Sequence, residues 1–253
     1  MENKFYINTE AIDYEAYKLA MKFACELAKK DNDVRKIILY INSKQDTGMF
    51  DTLFNSDTVK RLFKGAMFKD CHVIYKFETK ITYKKALYGN GSDVVICCGT
   101  TADDILQLDD YHSAKYIIAI PWLMKYTEKW INTWNAIEIS GKEKTEVTQY
   151  PEPTPIVKTA MKELTSCINM STGITHHYDK DQAKTYIKSL HKYEPELSAD
   201  IVGAYLVREL NWDTKHAKDV ENLINILNEG RFFQGGEKTG LQNYYKRWKE
   251  ECK

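Results

Sequence analysis

The sequence predicts an α/β protein, a Rossmann-like and mostly parallel sheet of about five strands with helices on both faces, followed by an all-helical C-terminal domain. Three observations carry this reading. Short apolar runs alternate with helical periodicities through roughly the first 145 residues, the pattern of βαβ units. A proline-bearing stretch then interrupts the pattern. Beyond it every apolar repeat falls at three- and four-residue spacing.

The first helix is expected over 14–30, where Tyr17, Ala20, Met21, Ala24, Leu27 and Ala28 share one face. The run Ile37 to Ile41 is apolar at consecutive positions, as in a strand covered on both faces. After the polar loop that ends in Gly48, residues 49–63 return to helical periodicity. Strands are expected at 71–77 and 93–98, a short helix after Thr101, a strand at 115–122, a helix beginning near Met124 and a last strand at 135–141. Between 78 and 92 the pattern is mixed: a short helix over 80–88 is expected, then a Gly-Asn-Gly turn. Four charged residues precede Pro151, Pro153 and Pro155, and prolines at alternate positions favour an extended connector. The expected organisation is an α/β domain over 1–145, a linker over 146–156 and a helical domain over 157–253. Helices are expected there at 154–169, 179–192, 197–210, 214–229 and 238–251. The expected caps are Asp179 or Asp181, Ser198, and Asp213 or Thr214, with a stop at Gly230.

Composition bounds the function. Apolar residues make up 43% and charged residues 28% of 253, the balance of a folded globular protein. Thirty-six basic and 36 acidic side chains cancel, so attraction to nucleic acid or an anionic membrane requires a local patch. No apolar stretch approaches the roughly 18 residues of a membrane span. The polar start is unlike a secretory signal, so a cytoplasmic protein is expected. The six cysteines show no metal-ligand spacing. Cys97 and Cys98, adjacent in a strand, should point to opposite faces. They read as buried reduced thiols, with a reactive thiol beside a helix N-terminus as the minority alternative. Among the six histidines, His72 reads as a core or sheet-face residue, and the pair His176-His177 lacks a third metal ligand. No nucleophile–base pair is identified by spacing.

In an open parallel sheet, ligands bind outside the carboxyl ends of the strands, where strand order reverses. That rule selects the loop after the first apolar strand, with Asn42, Ser43, Lys44, Thr47 and Gly48. It also selects the corner after the strand at 93–98, with Gly99, Thr100, Thr101 and Asp103. Glu78, Thr79 and Lys80 after the second strand, and Pro121 and Trp122 after the fourth, occupy the same edge. Glycine lets backbone approach a ligand, hydroxyls donate or accept, and free N–H groups at a helix start favour phosphate. Asp103 and Asp104 would repel a bare anion, and suit a nucleotide whose sugar hydroxyls face them. Capping of the following helix explains the corner equally well. Neither a P-loop nor a dinucleotide fingerprint is present, so no cofactor is named. If the strands at 37–41 and 93–98 are neighbours, the two loops face each other across one crevice.

These features predict binding, as a sensor or with turnover, of a nucleotide or phosphorylated small molecule at the sheet's carboxyl edge. The alternative is an interaction protein that binds nucleic acid or a protein partner through its C-terminal segment. There Arg231, Lys238, Tyr245, Lys246 and Arg247 combine charge with aromatic rings, and six basic against three acidic residues follow position 230. The plainer reading of that segment is a last helix whose Leu241, Tyr244, Tyr245 and Trp248 are its buried face.

Overall fold

The computed structural model describes residues 3–9, 13–83, 91–100, 102–141, 150–194 and 196–252, with the side chains at 102 and 103 left out. The chain divides into two compact units, Met1–Thr148 and Gln149–Lys253.

The first unit is an α/β layer built on a six-stranded, all-parallel sheet. Its strands are β1 (Lys4–Tyr6), β2 (Lys36–Tyr40), β3 (Ile74–Glu78), β4 (Asp93–Cys98), β5 (Ala114–Ile120) and β6 (Ile137–Glu138), in the spatial order β3-β2-β4-β5-β1-β6. The strand at β1 was not expected. It has three residues, too few for an alternation to register, yet it pairs with both β5 and the edge strand β6.

Alternation along the strands divides the core in two. Ile37, Leu39, Val94, Ile96 and Ile118 face α1 (Tyr14–Lys30), α2 (Gly48–Leu53) and α3 (Ser56–Leu62). Ile38, Tyr40, Val95, Ile117 and Ala119 face α4 (Ala102–Asp109) and α5 (Glu128–Trp134). Helix α1 lies over β4 and β5 on a stripe of Ala16, Ala20, Ala24 and Ala28, all buried. Four alanines at four-residue spacing keep the helix close to the sheet, because nothing larger than a methyl group stands between them. Asp13 caps α1 by accepting from the N–H groups of Glu15 and Ala16.

The helix expected over 49–63 is two helices. Phe54 is extended, and the Asn55 side chain accepts from Thr58 N at 2.8 Å to start α3 afresh. His72 is exposed and precedes β3, a correction to its expected place in a strand, which begins at Ile74. The helix near Met124 opens as one 3-10 turn, Met124–Tyr126, before α5. The expected helix over 80–88 falls mostly outside the described residues; Thr79 to Tyr83 form a turn.

The second unit is helical: α6 (Pro155–Cys167), α7 (His177–Tyr193), α8 (Ala199–Leu210), α9 (Thr214–Asn228) and α10 (Leu241–Glu251). Pro155 at the first turn of α6 forfeits no helical hydrogen bond, and Thr154 caps it. Ser198 caps α8 as expected, and Gly230 follows α9 with φ +73°. The cap of α7 is a correction: His176 holds that position without a side-chain bond, so Asp179 and Asp181 lie inside the helix. Helix α7 packs against α6, α9 and α10, and Ile187, Leu190, Leu164, Val220 and Ile224 are fully buried. The carboxylate of Glu163 on α6 accepts from Trp248 Nε1 at 2.6 Å, from the Tyr186 hydroxyl and from Arg247, tying α6, α7 and α10 together.

Candidate functional site

Strand order decides whether the two candidate loops meet. β2 lies between β3 and β4, so the carboxyl ends of β2 and β4 are adjacent. The chain leaves β2 toward α2 and α3 on one face and leaves β4 toward α4 on the other. Loops diverging to opposite faces from neighbouring strands open a crevice between them, the switch-point geometry at which open α/β sheets take ligands.

Across that crevice Asn42 Nδ2 donates to the carbonyl of Gly99 at 3.4 Å. Gly99 N in turn donates to Ile120 O at 3.0 Å, which fixes the β4 corner to the end of β5. Gly99 has φ +61°, a conformation that suits a residue without Cβ. A methyl group there would stand 3.6 Å from both Trp122 Cε3 and Tyr17 Oη, so the corner is flanked by an indole and a phenol. Trp122 is 49% exposed, so its indole is open to solvent beside the corner. Tyr17 is buried, and burial drives its phenol far above the ordinary range, so it remains an O–H donor.

The β2 loop is a series of turns. Ser43 O accepts from Asp46 N and Ser43 Oγ from Gln45 N, which leaves the Lys44 side chain exposed. Thr47 Oγ1 donates to Asp51 at 3.2 Å, and Gly48 opens α2. On the far side of β2, Lys80 Nζ lies 3.3 Å from Asp104. That ammonium offsets one of the two acids that would repel an anion at the start of α4.

The structure therefore brings Asn42, Ser43, Lys44, Thr47 and Gly48 to the same edge as Gly99 and Thr100. Thr100 is 1% exposed, and its hydroxyl, which makes no well-formed hydrogen bond among the described residues, lies beside the Cys97 thiol. Thr101 and the side chain of Asp103 lie outside the described residues. Trp122 was placed at this edge by the strand pattern. Tyr17 was not, because it belongs to the periodic face of α1 and only the fold carries its hydroxyl to Gly99. Cys97 and Cys98 point to opposite faces, Cys97 toward α4 and α5, Cys98 toward α1. Burial pushes both thiols well up, which removes the thiolate that a nucleophile would need. Among the described residues no group of three or more His, Cys, Asp or Glu side chains is placed to hold a metal ion. No helix among them is long and apolar enough to cross a membrane.

In the C-terminal segment, packing and internal pairing take up much of the candidate patch. Trp248 is buried and meets the Tyr186 ring edge-on at 5.0 Å, and Tyr245 donates to Glu194 at 2.7 Å. Arg247 pairs with Glu163 and Arg231 with Glu229. Lys238 and Lys246 are exposed, in different parts of the segment.

Fold and edge together define a class: a parallel α/β unit with a switch-point crevice, joined in one chain to a helical unit. The helical part, residues 153–249, matches a protein family described as a domain of unknown function, DUF1889. No curated protein matches the chain. No solved structure matches it either. The family match lies wholly outside the crevice and carries no named activity.

Proposed function

We propose that the α/β unit binds a nucleotide, or a closely similar phosphorylated small molecule, in the crevice between the carboxyl ends of β2 and β4. The observation that carries this reading is the Asn42–Gly99 hydrogen bond, which joins the two loops across the switch point. Three features favour a nucleotide over a bare phosphate. Lys44 supplies an exposed cation on one lip for the phosphate. Trp122 offers an aromatic surface for a base, a contact worth about 1–3 kcal/mol when stacked. The Tyr17 hydroxyl supplies a donor beside Gly99 for a sugar or base oxygen.

A thermal-shift series tests it. Adenosine and guanosine monophosphates are compared with the parent nucleosides, ribose 5-phosphate and inorganic phosphate. A ligand at one hundred times its Kd stabilises the folded state by about 2.7 kcal/mol. The expected result is a rise in Tm of several degrees with a nucleotide, smaller with either half of the molecule alone. The reading fails if no phosphate-bearing compound raises Tm.

A further inference from the structure

A second feature of the α/β unit lies away from the crevice and involves two cysteines that are far apart in sequence. Cys25 sits on α1, and Cys71 lies in the turn that leads to β3. Cys25 Sγ donates to the carbonyl of Asp70 at 3.1 Å, and Asp70 is the residue bonded to Cys71. Both cysteines line one cavity of about 420 Å³, together with Met21, Phe68 and Tyr75. Tyr75 closes one side by donating to Met21 O at 2.9 Å. A second cavity, of about 610 Å³, shares Phe68, Asp70 and Cys71 with the first, so space continues outward from the thiols. Lys22, Glu26, Lys29 and Asp70 belong to the same lining, and Lys29 Nζ lies 3.3 Å from Glu26.

We propose that Cys25 and Cys71 form a dithiol modification site, which a low-molecular-weight peptide disulfide of the glutathione type oxidises to an intramolecular Cys25–Cys71 disulfide. The chemistry is ordinary thiol–disulfide exchange. One cysteine loses its proton and attacks a sulfur of the small disulfide, which forms a mixed disulfide and expels one small thiolate. The second cysteine loses its proton and attacks the protein sulfur of that mixed disulfide, expelling the other thiolate. The two released thiolates take up the two protons. The protein dithiol loses two electrons, and one small disulfide becomes two small thiols.

The surroundings suit that reagent. The cavity admits a tripeptide-sized thiol arm, and its lining carries both signs of charge, Lys22 and Lys29 with Glu26 and Asp70, as a zwitterionic peptide thiol does. The thiols also sense one another. Burial first, and then the neighbouring Cys71 thiol, push the Cys25 thiol up to about 11. Exchange is therefore slow at neutral pH, which separates this pair from a catalytic thiol. A disulfide here would staple α1 to the turn before β3.

The test uses the intact chain, incubated with oxidised glutathione at pH 8.5, quenched with an alkylating agent and digested without reduction for mass spectrometry. Exposed Cys167 is the internal control for reagent activity. The expected product joins the Cys25 and Cys71 peptides with the loss of two hydrogens. In Cys71→Ser that product is absent, and Cys25 retains a glutathione adduct. The proposal is overturned if Cys167 is fully modified while Cys25 and Cys71 are both recovered alkylated, or if either pairs with another cysteine instead. The wild-type result decides the matter even where a variant folds poorly.

Discussion

Replacing Glu163 by Gln isolates the contact that holds three helices of the C-terminal unit together. The carboxylate accepts from Trp248 Nε1, Tyr186 and Arg247, and the Trp248 side chain is fully buried. Gln keeps the shape but offers one acceptor oxygen in place of two, and its NH2 confronts donors. One buried donor is then left unpaired, at a cost of about 1–3 kcal/mol. A second hydrogen bond falls from charge-assisted to neutral, about 1 kcal/mol more. The Arg247 pair is part-exposed and adds roughly 0–1 kcal/mol. The total expected loss is about 2–5 kcal/mol. Burial tends to raise the Glu163 carboxyl, but the hydrogen bonds from Tyr186, Trp248 and Arg247 prevail and hold it below the usual range. A depressed carboxyl stabilises the fold above its unfolded value, near about 4.3, and that stability is lost as pH falls through the folded value. Urea unfolding followed by far-UV circular dichroism at pH 7 and at pH 4 reads both effects. Glu163→Gln should lower stability at pH 7 and lose less than wild type on acidification. A loss below about 0.5 kcal/mol at pH 7, or the same acid dependence in both proteins, would refute the three-helix tie.

Other substitutions probe the α/β unit. Lys4 Nζ lies 2.6 Å from Asp109, both side chains are nearly inaccessible, and Trp134 Nε1 also donates to Asp109. Lys4→Met strands a buried carboxylate, so destabilisation of about 3–5 kcal/mol is expected at neutral pH by chemical denaturation. Burial raises the Asp109 carboxyl, so this loss should shrink as pH falls through that raised value and the acid neutralises; a loss that grows on acidification would contradict the pairing. Thr100→Val removes a buried hydroxyl whose neighbour is the Cys97 thiol, a weak partner. Its Tm in the absence of ligand should be unchanged or higher, by the equivalent of up to about 1 kcal/mol. A clear fall in Tm would mean that the hydroxyl is bonded.

Much of this architecture is legible along the chain because its signals are local. Ile37 to Ile41 and Val94 to Cys98 announce buried parallel strands by composition alone, and α1 falls at Tyr14–Lys30 where its periodic face places it. Ser198 and Gly230 mark helix ends through backbone chemistry that acts within a few residues. Features that depend on pairing are less visible. β1 gains its place from β5 and β6, not from its own three residues. The break at Phe54 depends on Asn55 capping a new helix, although the apolar positions read on without interruption. The candidate site divides in the same way. Its loops follow from the linear order of strands, whereas the adjacency of β2 and β4, the Asn42–Gly99 bond and the approach of Tyr17 and Trp122 to Gly99 are tertiary facts. The Cys25–Cys71 pair is likewise tertiary, brought together by α1 packing beside the turn before β3. The aromatic positions of α10 carried two meanings in sequence, and packing on α7 realises the helical one.

The most direct test of the crevice is isothermal titration of the wild-type chain, Lys44→Ala and Trp122→Ala with adenosine 5′-monophosphate and, in parallel, guanosine 5′-monophosphate. Both substituted side chains are exposed and neither contributes to the buried core, so folding should be retained. Saturable binding of at least one nucleotide is predicted for wild type. Trp122→Ala should weaken it about fivefold or more, as loss of a stacked ring costs about 1–3 kcal/mol. Lys44→Ala should weaken it further as salt is lowered, because the missing attraction is the one that salt screens. Binding that is unchanged in both variants would place the ligand elsewhere, and no binding by wild type would remove the nucleotide from the account altogether.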